Sequence, residues 1–305
     1  MDSRPQLQAN RIAQILERAL PRHVLKSFDL LSGTVSNLSY LLHFSGTEPP
    51  VVLRVYVRDA SACRKEVDIL RAVSRQLPVP QLIYANPKGE DGVGPYVLYR
   101  YAEGMTYQEL KSQGNLQDMA EAAYAIGAAL ARLRTVSLSE PVSGRREITG
   151  ECLNSPVLEH RLGGTDRDRL GVFFSAWLPR IRHLYHDRML VHGDFSNRNT
   201  IVKREGNRWV VTGILDWEYA FVGSPLWDAS RFICFERRAR PCREPHFSRG
   251  FCDSGGSLPE DWSVFSRALN ALSAAESLSR PDLREQYIPD LRDLILATLD
   301  GRELA

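Results

Sequence analysis

The stretch Leu190–Ser230, LVHGDFSNRNTIVKREGNRWVVTGILDWEYAFVGSPLWDAS, concentrates the side chains of this chain that could do chemistry. Asp194 and Asn199 stand five residues apart, just after a short apolar run. Asp216 closes the next apolar run, beyond a turn at Glu205–Asn207. This order puts two carboxylates and one amide at the ends of neighbouring strands, facing one cleft. Such a set suits a magnesium–nucleotide site, in which hard oxygens hold the metal and one further carboxylate orients a nucleophile. A lone Asp before an apolar run is ordinarily a turn or cap residue. The ordered set of three is what argues for chemistry.

The elements that must position these residues change character along the chain. Residues 6–20 carry apolar positions at Leu7, Ile12, Ile15, Leu16 and Leu20, a helical stripe. FDLLSGTVSNLSYLLHF reads as two strands, and VVLRVYV, rich in β-branched residues, as a third. Val67, Leu70, Val73 and Leu77 then mark a helix capped by Asp59 or Ser61 and ended by Pro78 and Pro80. Two further strands flank a turn at Pro87–Gly94. Sheet gives way to helix near Tyr101–Gly104, the expected boundary between residues 1–101 and 102–305. LQDMAEAAYAIGAALARLR is a long helix, and LGVFFSAWLPRIRHLYH is another, bent or ended near Pro179. Residues 137–168, dense in Gly, Pro, Ser and Arg, read as an irregular insertion. MLVHGDF and WVVTGILDW are short strands, and helices are expected near 225–238, 261–280 and 286–300.

Composition excludes several classes. The chain has 305 residues, 43% hydrophobic and 25% charged, values of a globular protein with a full core. A net charge of +2 lends no support to a nucleic-acid partner. The longest apolar stretch, around Ala122–Leu133, is too short for a membrane span, and the polar N-terminus shows no secretion signal. Five cysteines, an odd number without a C-x-x-C pair, read as reduced thiols in a cytoplasmic protein.

The Leu190–Ser230 stretch resembles the catalytic core of the aminoglycoside phosphotransferase and choline kinase family, small-molecule relatives of the protein kinases. The matching residues are His192-Gly193-Asp194 with Asn199, then Leu215-Asp216-Trp217-Glu218, then Gly223-Ser224-Pro225 followed by Asp228. The order of strands, helix, strand pair, hinge and helical lobe agrees over nearly the whole chain. The resemblance implies an α+β, two-lobed, protein-kinase-like fold: an N-terminal antiparallel sheet with one helix, and a larger, mainly helical C-terminal lobe. It implies transfer of the γ-phosphoryl group of ATP or GTP to a hydroxyl, with Asp194 as catalytic residue and Asn199 and Asp216 holding Mg2+. His192 and Asp228 would support the catalytic loop. In the first lobe, Arg54 and Glu66 match the phosphate-clamping pair, Gly33–Asn37 with Ser36 the loop over the phosphates, and the strand end through Arg100 and Ala102 the hinge that meets the nucleobase. Arg54 stands where many relatives carry Lys, and a planar fork need not make the same contacts. The Gly33–Asn37 loop has a single glycine.

The resemblance leaves the acceptor open between an antibiotic-like molecule and a metabolite of the choline, homoserine or sugar type. A nucleotide-binding module without catalysis is the other class, and intact Asp194, Asn199 and Asp216 argue against it. The chain lacks H-R-D, D-F-G and A-P-E, which argues against a protein kinase proper. A nucleotide and a small hydroxyl acceptor are the expected partners, for a monomer or homodimer. The segment 234–260 carries Arg237, Arg238, Arg240 and Arg243 with Phe235, Phe247 and Phe251, and is expected to form a loop over the acceptor.

Overall fold

The computed structural model describes residues 7–31, 37–90, 92–136, 150–234 and 243–301. Helix α1 (Ala9–Ala19) precedes strands β1 (Leu25–Leu30), β2 (Leu38–Phe44) and β3 (Val51–Val55). Helix α2 (Ala60–Val73), capped by Asp59 through the Ser61 amide at 2.9 Å, leads to β4 (Leu82–Asn86) and β5 (Tyr96–Arg100). The five strands form one antiparallel sheet in the order β1-β2-β3-β5-β4. Alternation along β3 divides its work. Val51, Leu53 and Val55 pack with Ile12, Ile15 and Leu16 of α1, whereas Val52 joins the apolar residues of α2. Arg54 shares the parity of Val52 and so reaches the α2 side, where Glu66 lies.

The second lobe is mainly helical. It comprises β6 (Met105–Thr106), α3 (Tyr107–Gln113), α4 (Leu116–Ala131), α5 (Gly150–Leu153), α6 (Pro156–Leu162), α7 (Gly164–Ile181), β7 (Met189–Val191), β8 (Thr200–Glu205), β9 (Arg208–Ile214), β10 (Phe221–Gly223), α8 (Leu226–Ile233), α9 (His246–Asp253), α10 (Trp262–Leu278) and α11 (Ile288–Leu299). A single apolar cluster runs from the α2 side of the sheet into this lobe, from Val52 and Val97 to Phe232 and Leu272.

Three expectations are corrected. Where residues 137–168 are described, from 150 on, they are helical rather than irregular. Ser155 caps α6 and Pro156 sits in its first turn, a place where proline starts a helix instead of breaking one. The segment 234–260 contains α9, seated on α4 at a glycine crossing. A Cβ on Gly127 would lie 2.1 Å from the Phe247 carbonyl oxygen, and one on Gly250 would lie 2.0 Å from that of Tyr124. Phe247 and Phe251 consequently belong to the core, Phe247 stacking on Phe232 at 4.7 Å, and they are not available to an acceptor. Finally, the strands before Asp194 and Asp216 are not neighbours: β7 pairs with β10, and β9 pairs with β8.

Candidate active site

Asp194 and Asp216 meet through their loops rather than through a shared ladder. The Leu215 amide donates to the Asn199 carbonyl at 2.8 Å, and the Leu215 carbonyl lies 2.8 Å from His192 Nε2. His192 Nδ1 accepts from the Asp194 amide at 3.2 Å, so Nε2 carries the ring proton and donates it to Leu215. Both polar groups of the residue before Asp216 are thereby fixed to the loop that carries Asp194. Trp217 closes over the His192 ring, centroids 4.5 Å apart, and both residues are fully buried.

Asn199 Nδ2 donates to the Asp194 carbonyl at 2.9 Å and to Asp194 Oδ2 at 3.1 Å. Asp194 Oδ1 lies 3.3 Å from Arg231 Nη2. Beneath the loop, buried Asp228 accepts from the His192 amide at 2.6 Å through Oδ2 and from the Gly193 amide at 2.9 Å through Oδ1. Burial pushes the Asp228 carboxyl up to about 6, against the pull of His192 and of the two amides. Gly193 is required here: its φ is +84°, and a Cβ would lie 2.3 Å from the Tyr219 carbonyl oxygen.

The first lobe meets this loop through charge. Arg54 Nη2 lies 2.6 Å from Asp216 Oδ1 and 3.5 Å from Glu218 Oε2, and Arg54 Nη1 lies 3.6 Å from Glu66 Oε1. Glu66 is buried, accepts from Tyr56 Oη at 2.5 Å, and is raised by burial against the opposing pull of Arg54. Asn37 donates to Glu218 Oε2 at 2.8 Å, and Lys65 Nζ donates to the Glu218 carbonyl at 2.9 Å. Among the described residues, Arg54 Nε and Glu218 Oε1 are buried without a hydrogen-bond partner. Asp216 itself adopts φ +67°, the one non-glycine residue among those described with a left-handed backbone.

The structure therefore brings Arg54, Glu66, Asp194, Asn199, Asp216, His192 and Asp228 to one boundary between the lobes. Arg100 and Ala102 lie at the end of β5. The Arg100 side chain turns to Gln81 Oε1 at 2.8 Å, and the Ala102 Cβ faces Gly213 of β9. Ser36, Phe235, Arg237, Arg238 and Arg240 lie outside the described residues. Arg243 is buried: it donates to the Phe232 carbonyl, to that of Cys234 at 3.3 Å, and to Asn197 Oδ1 at 3.3 Å. Sequence reasoning assigned no part to Glu218, Lys65 or Arg231. The signal for Arg231 was its place one helical turn beyond Asp228.

Residues 27–266 match the family model described as the phosphotransferase enzyme family. No curated protein sequence matches the chain. Among solved structures, the GDP complex of wild-type aminoglycoside 2′-phosphotransferase-IIIa is similar at 17% identity and a TM-score of 0.69, over 97% of this chain and 99% of that one. The ternary complex of an aminoglycoside phosphotransferase APH(4)-Ia mutant with AMP-PNP and hygromycin B is similar at 17% identity and a TM-score of 0.64, over 97% and 100%. Choline kinase LicA from Streptococcus pneumoniae is similar at 14% identity and a TM-score of 0.64, over 96% and 98%. At these identities the likeness is one of fold, the two-lobed kinase-like fold.

Proposed function

The chain belongs to the phosphotransferase enzyme family, and from that membership we propose that it moves the γ-phosphoryl group of ATP or GTP to a hydroxyl of a small acceptor held against Asp194. It is a phosphotransferase with an alcohol group as acceptor. The observation that carries the finer reading is the joining of the Asp194–Asn199 loop to Asp216 through Leu215, with the Arg54 fork reaching Asp216 from the other lobe.

Phosphoryl transfer asks a protein mainly for positioning and for neutralisation of charge. In this reading Asp194 orients the acceptor hydroxyl and takes up its proton. The hydroxyl oxygen bonds to the γ-phosphorus as the bond to the β-phosphate oxygen breaks, and the nucleoside diphosphate leaves with that electron pair. Arg54, oriented by Glu66 and Glu218, supplies positive charge to the phosphates, and buried Arg54 Nε offers a further donor. Asn199 and Asp216 suit a hard divalent cation. Asn199 Nδ2 is committed to Asp194, which leaves its carbonyl oxygen for a metal, and Asp216 has one oxygen on Arg54 and another to give. Among the described residues no three His, Cys, Asp or Glu side chains could hold a metal by themselves. Magnesium typically takes one or two carboxylates together with substrate phosphates, so Asp216 and Asn199 would hold it jointly with the nucleotide. Bound there, magnesium would neutralise the charge that develops on the phosphates. The strand end through Arg100 and Ala102 would border the nucleobase, and the lobes would divide near residues 101–102.

The acceptor has two readings. Neighbours bound to kanamycin and hygromycin B support an antibiotic-like molecule. Arg231 beside Asp194 favours a metabolite without polycationic character. Transfer of labelled γ-phosphate from ATP and GTP to a panel of antibiotics and hydroxylated metabolites tests the function. A labelled phosphate ester that requires Asp194 supports it, and transfer unaffected by Asp194→Ala refutes it.

A further inference from the structure

We propose that Arg231 forms an acceptor subsite beside Asp194, and that the acceptor it selects carries a carboxylate a few bonds from the hydroxyl that is phosphorylated. The proposal rests on the reading of Asp194 as the residue that receives that hydroxyl.

Arg231 is placed by the fold. Asp228 and Arg231 are three residues apart on α8, on one face of the helix. Asp228 holds the amides of His192 and Gly193, and Arg231 reaches Asp194 Oδ1 at 3.3 Å. Three consecutive residues of the catalytic loop are thus met by one turn of one helix. The Arg231 side chain nevertheless remains 42% exposed and that of Asp194 33% exposed, so surface of both is left to meet a ligand, while the guanidinium is partly desolvated by its surroundings.

The geometry of Asp194 says where an acceptor must sit. Oδ2 is taken by Asn199, which leaves Oδ1 for the acceptor hydroxyl. A hydroxyl within roughly 2.6–3.2 Å of Oδ1 is also a neighbour of the guanidinium. The contact with Asp194 is long and uses one N–H, and Cys234 is a second side-chain partner of the guanidinium. That group carries five N–H donors in a planar fork, the shape that matches a carboxylate with two parallel bonds. The surrounding charge points the same way. Phe195–Asn199 and Ala229–Cys234, the loop and the helix end that flank the pair, contain Arg198 and Arg231 and no Asp or Glu. An acceptor rich in ammonium groups would meet a permanent cation there. A hydroxy acid would place its anion on the fork and its hydroxyl on Oδ1, and would leave as a phosphate ester with its carboxylate unchanged.

Matched pairs that differ only in this charge test the subsite: glycerate against 3-amino-1,2-propanediol, 4-hydroxybutyrate against 4-amino-1-butanol, with kanamycin as a polycation. Binding is measured by calorimetry on protein saturated with magnesium and a non-hydrolysable ATP or GTP analogue, and turnover by nucleoside diphosphate release. The hydroxy acids should bind and be preferred to their amines by about tenfold or more. Arg231→Met should lower hydroxy-acid affinity by roughly 10- to 100-fold, the scale of a lost charge-assisted contact. It should leave nucleotide affinity unchanged and should hold or raise that of the amines, from which it removes a like charge, and Arg231→Lys should restore only part of the loss. The proposal is overturned if no hydroxy acid binds, if amines or kanamycin serve as well as the acids, or if Arg231→Met weakens both members of a pair by one factor. The Asp194 reading fails separately, if Asp194→Asn still transfers phosphate, because the binding comparison at Arg231 does not depend on turnover.

Discussion

Asp194 divides its two oxygens between Asn199 and the open side of the cleft. A carboxylate that positions a hydroxyl and accepts its proton contributes on the order of 10²- to 10⁴-fold. Asp194→Ala should therefore reduce kcat by that much while nucleotide affinity, measured by calorimetry, stays within about twofold. Asp216 has a different part. Asp216→Asn should weaken binding of the magnesium–nucleotide by roughly 10- to 100-fold, the scale of one charge-assisted contact. Binding of the nucleotide without magnesium should change far less, and equal losses would remove Asp216 from the metal's surroundings. At this scale the sequence was informative where the signal is local. Asp194, Asn199 and Asp216 stand in one 23-residue run, and Arg54 and Glu66 stand on the strand and helix that the resemblance singles out. Glu218 entered only as part of the motif match, without partners, and Lys65 and Arg231 were given no role, because tertiary approach gives all three their partners. Asn37, which meets Glu218, is 181 residues away in sequence, and Arg231 is 37 residues from Asp194.

At the scale of elements, α8 is the brace of the loop that carries His192, Gly193 and Asp194. Asp228 meets two amides with two oxygens, so Asp228→Asn would leave one buried N–H facing an NH₂ group. That variant should lose about 1–3 kcal/mol of stability at neutral pH and lower kcat with little change in nucleotide affinity. Its pH dependence has a definite sign. A carboxyl raised to about 6 binds its proton more tightly in the folded chain than in the unfolded one. Stability from this group is then greatest at low pH and declines as pH rises from about 4 towards 6, by about 3 kcal/mol at most. Urea unfolding between pH 4 and 7 should show this decline in the difference between wild type and Asp228→Asn, since the other titrating groups are common to both. The crossing of α4 and α9 makes a plainer prediction. Gly250→Ala would press a methyl group against the Tyr124 backbone, so thermal unfolding should shift down by several degrees, reflecting about 1–3 kcal/mol of overpacking. Both corrected elements turn on one ambiguity. Gly and Pro punctuate loops, yet Pro156 opens a helix and Gly250 admits a close helix contact, and composition does not separate these uses.

For the molecule as a whole, the two lobes share one apolar cluster and are fastened at the cleft by polar contacts: Arg54 to Asp216, Asn37 and Lys65 to Glu218, and Arg58 to Asp282. At the centre of these fastenings three carboxyl groups, from Glu66, Asp216 and Glu218, surround one buried guanidinium. One of the three sits on a residue whose backbone is itself left-handed. This arrangement sets stability against activity at a single position. Asparagine tolerates the left-handed backbone at least as well as aspartate and keeps the side-chain shape, while it removes one of three mutually repelling charges. Differential scanning calorimetry without nucleotide or magnesium should then find Asp216→Asn melting higher than the wild type, although on the proposed function the same change weakens binding of the magnesium–nucleotide. A lower melting temperature would mean that the Arg54–Asp216 bond outweighs the crowding of like charge. In a selection for folding alone, position 216 would then drift away from aspartate, so under the proposed function the residue held there marks what the fold forgoes in order to bind and transfer phosphate.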